Sequence, residues 1–100
     1  MVPPEIEYLL LGGVLDGLDD LYDQRERAEW WLERLLIATS YAMSGTPWEK
    51  LMMDSARALE RIRRSAGTDP EKNAQAVAAT NDLRVRVADR WGDLDAPGRP

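Results

Sequence analysis

One hundred residues with a net charge of −5, no Cys and no His leave room for one domain, since a second would be too small to hold its own core. The missing Cys excludes disulfides and thiolate chemistry, and the missing His removes the commonest general base, zinc ligand and physiological pH switch. An acidic chain is repelled by phosphate at long range, which argues against general nucleic-acid binding.

Pro3 and Pro4 open the first helix, in the turn where a missing N–H costs nothing. The apolar run from Tyr8 to Leu15 has no basic flank, contains Gly12 and Gly13 and ends at Asp16. It is too short for a membrane span and wrongly flanked for a signal peptide, so a cytoplasmic protein without membrane contact is expected. Leu11, Val14, Leu18, Leu21, Ala28, Leu32, Leu35 and Ala42 follow in alternating steps of three and four, with Arg25 and Thr39 in the two gaps. That rhythm is the seam of a bundle helix. Gly12, Gly13 and Gly17 each cost a helix about 1 kcal/mol relative to Ala. The reading they favour is a short helix near residues 4–15 and a long one near 18–44; a single kinked helix over 5–44 is the alternative.

Two punctuation marks follow. Gly45-Thr46-Pro47-Trp48-Glu49 and Gly67-Thr68-Asp69-Pro70-Glu71 share one logic. Gly closes a helix through positive φ, Thr or Asp caps the next one, and Pro sits in its first turn. Thr46 with Glu49, and Thr68 with Glu71, also fit the Thr-x-x-Glu capping box. Between them, a helix over about 47–66 carries the seam Trp48, Met52, Ser55, Leu59, Ile62 and Ala66, widened by Leu51 and Ala58. A last helix over about 70–91 is expected to bury Ala74, Val77, Ala78, Val85, Ala88 and Trp91. Asn81 stands in the middle of that side, either setting register or lying at its wet end.

Short connections make neighbouring helices antiparallel. The expected fold is therefore all-α: an up-and-down bundle of three to four helices with a long central helix. It forms one domain over 1–94, with a flexible tail at 95–100. Residues 1–50 hold ten acids against four bases, and residues 51–100 eight against nine. Arg57, Arg61 and Arg64, and Arg84, Arg86 and Arg90, can thus face the acidic long helix, each pair being worth roughly 0–1 kcal/mol at a surface.

Asp16, Asp19, Asp20 and Asp23 form one acidic stripe opposite Val14, Leu18 and Leu21. It is either the wet face of an amphipathic helix or a phosphate-mimicking or cation-holding surface, although its spacing does not match an EF-hand loop. Arg57, Arg61 and Arg64 lack the interleaved aromatics that single-strand binding uses. Ser40, Ser44, Ser55 and Ser65 have no His to activate them, and Gly12-Gly13 lacks the spacing of a phosphate loop. Glu26-x-x-Glu29-x-x-x-Glu33 resembles the first half of the magnesium-carboxylate pattern of all-α nucleotide pyrophosphatases of the MazG and dimeric dUTPase kind. The second half, Glu-x-x-Asp, is missing: Glu49 and Asp54 stand five apart and point to different faces.

A second apolar stripe gives the sharpest functional signal. Trp30, Ile37 and Tyr41 lie nearly opposite Ala28, Leu32 and Leu35. A helix apolar on two sides is sandwiched within its own domain, here by Ile6, Leu9 and Leu10, or covered by another chain. The expected function is a small, non-catalytic helical interaction module, docking on a protein partner or forming a homodimer. Trp30, Ile37 and Tyr41 would be the contact, with Glu33 and Arg34 at the rim. No cofactor, metal, small-molecule substrate or nucleic acid is expected. Its size would suit an accessory bacterial or phage-encoded protein. The alternatives are an acidic inhibitor of the immunity or antitoxin type, which blocks a basic site with Asp16, Asp19, Asp20 and Asp23, and the magnesium pyrophosphatase.

Overall fold

The structure is a computed structural model and describes residues 2–95. Five helices follow one another: α1 (Pro4–Tyr22), α2 (Ala28–Ala42), α3 (Pro47–Arg64), α4 (Asp69–Ala79) and α5 (Asn81–Asp95). The chain is all-α, as expected, but with five helices rather than three to four. The long helix over 18–44 does not exist, and neither does the single helix over 5–44. α1 runs straight through Gly12, Gly13 and Gly17, and the chain breaks instead at residues 23–27.

That break is a Schellman turn without glycine. The Arg25 N–H donates to the Asp20 carbonyl (3.0 Å), the Gln24 N–H donates to Leu21 (3.1 Å), and Gln24 takes φ 57°. Arg27, at φ 60°, precedes α2 in the same left-handed region. Gly12 and Gly17 serve close approach, whereas a Cβ on Gly13 would meet nothing. A Cβ on Gly12 would lie 3.1 Å from the Trp91 indole nitrogen, and one on Gly17 would lie 3.0 and 3.1 Å from methyl groups of Leu32 and Leu35.

The two predicted junctions form, without the reciprocal Glu-to-Thr bond of a full capping box among the described residues. Gly45 (φ 84°) and Gly67 (φ 139°) take positive φ. Thr46 Oγ1 accepts from the Trp48 N–H and Thr68 Oγ1 from the Glu71 N–H. The Glu49 carboxylate reaches back to the Gly45 N–H (3.0 Å), one residue before the cap. α3 buries Met52, Ser55, Ala56 and Leu59, close to the predicted seam; Ala66 falls beyond its end.

The last predicted helix is divided at Thr80. Its buried hydroxyl donates to the Ala76 carbonyl (2.8 Å), a back-bond that bends helices. Across that point the true seam is Ala76, Thr80, Leu83 and Val87, continued by half-buried Trp91 and Leu94. Ala74, Ala78, Val85 and Ala88 are exposed, and so is Asn81. Burying Leu83 and Val87 removes more apolar surface from water than burying alanines, so they set the helix's rotation.

One core joins all five helices: Leu11, Val14, Leu18 and Leu21; Ala28, Leu32, Leu36 and Met43; Met52, Ala56 and Leu59; Ala76; Leu83 and Val87. α2 packs chiefly on α3, while α1 lies against α2, α4 and α5. A polar lock ties the start of α1 to α3 and α5. Arg90 donates two hydrogen bonds to Glu7 (3.0 and 2.9 Å), and the Trp48 indole N–H donates a third (3.2 Å). The Arg90 hydrogen bond holds the Glu7 carboxyl below the ordinary carboxylate range, against the opposing push of burial. Tyr8 stacks on Trp91 and donates to Asp95, so Asp95 belongs to α5 rather than to a tail; residues 96–100 of the expected tail lie outside the described residues. Of the arginines expected to face the long acidic helix, Arg84 bonds Asp19 on α1 (2.9 Å), whereas Arg64 and Arg86 bond Glu60 and Asp82 on their own helices. No described helix is long and apolar enough to cross a membrane.

Candidate functional site

α2 has two unlike sides. Its inner side places Ala28, Leu32, Leu36 and Thr39 in the core. Its outer side carries Trp31, Arg34, Ala38, Tyr41 and Ala42, all exposed; Trp31 is 61% and Tyr41 72% accessible. Half-buried Leu35 flanks this strip toward α1.

α1 extends the strip sideways. Ile6, Leu9, Gly13, Asp16 and Asp20 recur in steps of three and four, turned away from Leu11, Val14 and Leu18. Leu9 is 67% and Ile6 46% exposed, so neither folds over α2 as one of the two expectations had it. The two helices meet at Gly17, tight against Leu32 and Leu35. Above this contact runs a groove of about 310 Å³, walled by Gly13, Gly17, Trp31 and Leu35 and edged by Asp16 and Asp20, with Arg25 and Glu26 at its turn end. The candidate site is thus a two-helix apolar face with an acidic edge on α1.

Four of the five residues predicted as the contact, Trp30, Arg34, Ile37 and Tyr41, recur in steps of four, three and four along one side of α2, and Glu33 leaves it. Tyr41 stands in solvent on the outer strip. Trp30 and Ile37 are half-buried on the flank nearer α3, and Ile37 packs against the core. The Arg34 guanidinium lies 3.5 Å from the centre of the Trp30 ring, Arg27 lies 4.8 Å from it, and Trp31 meets the ring edge-on at 4.7 Å. Glu33 is not at a rim. It is buried and accepts from Arg63 on α3 (3.1 and 3.4 Å), an ion pair that sits between the helices. The same pairing removes Glu33 from the Glu26-Glu29-Glu33 pattern. Among the described residues, no group of three or more acids is placed to hold a metal ion.

Sequence reasoning missed Trp31, Ala38, Leu9 and Ile6 as parts of this face. The spacing Trp31, Leu35, Ala38, Ala42 is itself a helical stripe, but Leu35 and Ala42 had been counted in the core. The remaining charged surfaces are more dispersed. Asp19 is spent on Arg84, and Arg57, Arg61 and Arg64 line a shallow depression in which Arg64 is spent on Glu60. No model of a known family, no curated protein and no solved structure matches this chain.

Proposed function

We propose that this chain is a small, non-catalytic interaction module, working inside the cell, that docks through the outer face of α1 and α2 onto a protein surface. The observation that carries the reading is the pair Trp31 and Tyr41, two large rings left in solvent beside Leu9, Ile6, Ala38 and Ala42. Apolar strips of this kind on small proteins mark docking sites, and Trp and Tyr dominate the energetics of such contacts. Stacked Trp30 and Arg34 would form its polar margin. A second reading, an acidic inhibitor, is favoured by Asp16, Asp20 and Asp23, whereas Asp19 is already paired. It predicts binding that weakens steeply with salt, whereas apolar docking barely changes.

The test is a Trp31→Glu/Tyr41→Glu variant studied at about 1 μM, where any self-association contributes least to stability. Helical circular dichroism and the urea midpoint should match the wild type within about 0.5 kcal/mol, while retention on a phenyl column falls. Collapse of the helical signal would assign both rings to the internal core and overturn the reading.

A further inference from the structure

We propose that the occupant of this face is a second copy of the chain. The two copies would be related by a two-fold axis that runs parallel to α1 and α2 and passes between them. The inference rests on the docking reading above and adds the identity and register of the partner.

The argument begins with charge. The α1 side of the face carries Asp16 and Asp20, with Arg25 and Glu26 at the turn, and the α2 side carries Arg34 among Trp31, Ala38 and Tyr41. Among the described residues, none of Asp16, Asp20 and Arg34 enters an ion pair, although Asp19, Glu33 and Glu7 nearby are all paired with arginines. Arg34 lies over the Trp30 ring, so its π face is used while its N–H donors remain free.

Register follows from Gly17. Its contact with Leu32 and Leu35 makes Asp16 level with Arg34 across the hairpin, and Asp20 level with Trp30 and Trp31. A two-fold axis parallel to the helices turns the face over without shifting it lengthwise. It therefore lays the α1 of each copy, antiparallel, on the α2 of the other. Asp16 then meets Arg34 of the second copy, and by symmetry the pair forms twice. Each Trp31 is then level with Asp20 of the other copy, beside the opposite groove, whose open room lies over Gly13 because Leu32 and Leu35 fill the space at Gly17. A partner of uniform charge would satisfy only one edge of the face.

The size is adequate. α2 has 15 residues, about 22 Å at 1.5 Å per residue, and two adjacent helices span about 20 Å. The projected face is then roughly 450 Å², and its corrugation raises the accessible area toward the roughly 800 Å² that each partner contributes to a stable complex.

Sedimentation equilibrium on the full chain, from about 1 to about 200 μM, covers the affinities of interfaces this small. The wild type should approach twice 11.3 kDa. Trp31→Glu, with helical circular dichroism unchanged, should weaken dimerisation at least about a hundredfold, because the ring is lost twice per dimer. Tyr41→Glu replaces it if Trp31→Glu fails to fold. Asp16→Arg and Arg34→Glu should each weaken dimerisation roughly three- to tenfold, and Asp16→Arg/Arg34→Glu together should recover most of that loss. A wild type that stays monomeric at every concentration overturns the second copy as occupant. If phenyl-column retention still falls in the double glutamate variant, docking itself survives. A dimer indifferent to both glutamate substitutions, or a charge-swapped pair no better than its singles, overturns the proposed arrangement.

Discussion

On its inner side α2 sets Leu32, Leu36 and Thr39 against α1 and α3, with almost no accessible surface; on its outer side Trp31 and Tyr41 hold most of their surface in water. The same helix is apolar twice, and the two sides obey different rules. The inner side is held by close packing and by one buried ion pair, Glu33 with Arg63. The outer side lies mostly in water, with Trp31 edge-on to the Trp30 ring, and its nearest charges are unpaired or stacked on a ring. On the docking reading proposed above, fold and function separate along one helix. Substitutions inside should change stability, and substitutions outside should change only what the protein touches.

The sharpest way to break this contrast is Leu36→Ala against Tyr41→Ala. Leu36 is fully buried, so its truncation leaves a cavity and should cost about 2–5 kcal/mol. A domain of this size has a total of only about 5–15 kcal/mol to lose. Tyr41→Ala should stay within about 0.5 kcal/mol of the wild-type monomer. Urea titrations at low protein concentration measure both; equal losses would show that the outer side belongs to the core.

Much of this division was legible in the residues, and the parts that were not have physical causes. The junctions at 45–49 and 67–71 could be read because each carries its own chemistry, a positive-φ Gly, a Thr cap and a first-turn Pro. The break at 23–27 could not, because Gln24 takes the left-handed position that Gly normally fills. Gly12 and Gly17 mark close contacts rather than a break, since Trp91, Leu32 and Leu35 fill the space above them. Moving the break turned the seam of α2 toward α3, replacing Leu35 and Ala42 with Leu36 and Met43. Tyr41 was legible as part of an outer apolar stripe, and it is exposed. Glu33 was not legible as an interior residue, because nothing in its own helix announces that Arg63 reaches it from thirty residues away.

The lock at the start of α1 extends the contrast to charge. Glu7→Gln weakens both Arg90 hydrogen bonds and should cost about 1 kcal/mol, the half-exposed arginine keeping the loss near the low end for charged hydrogen bonds. The sign of its pH dependence follows from the lowered pKa. The stabilisation is fully present above the ordinary value of 4.5 and is lost as pH falls through the lower folded-state value. Thermal melts from neutral to acid pH should therefore fall more shallowly for Glu7→Gln than for the wild type. Parallel curves would mean that the lock carries no net stability.

The turn before α2 tests whether the break itself is under strain. Gln24 sits at φ 57°, where a side chain costs about 1 kcal/mol that glycine does not incur. Gln24→Gly should raise the melting temperature by a few degrees, on the order of 4–8 °C per kcal/mol at this size. It should leave dimerisation unchanged.

The smallest expected effect concerns a defect on the inner side. Thr39 Oγ1 is buried without a hydrogen-bond partner among the described residues. Its neighbours show what is missing: the hydroxyls of Ser40, Ser55 and Thr80 donate to the carbonyls of Ile37, Leu51 and Ala76. An unpaired buried hydroxyl keeps its desolvation cost with nothing to offset it. Valine has nearly the same shape and nearly the same helix propensity, so Thr39→Val changes little except that cost. It should raise stability by about 0.5–1 kcal/mol. Thr80→Val is the matched control. There the hydroxyl is bonded, so the same exchange leaves the Ala76 carbonyl without that donor and should lower stability by about as much. Urea midpoints moving in opposite directions would place the defect at Thr39. A loss at both positions would mean that the Thr39 hydroxyl has a partner, most simply an internal water.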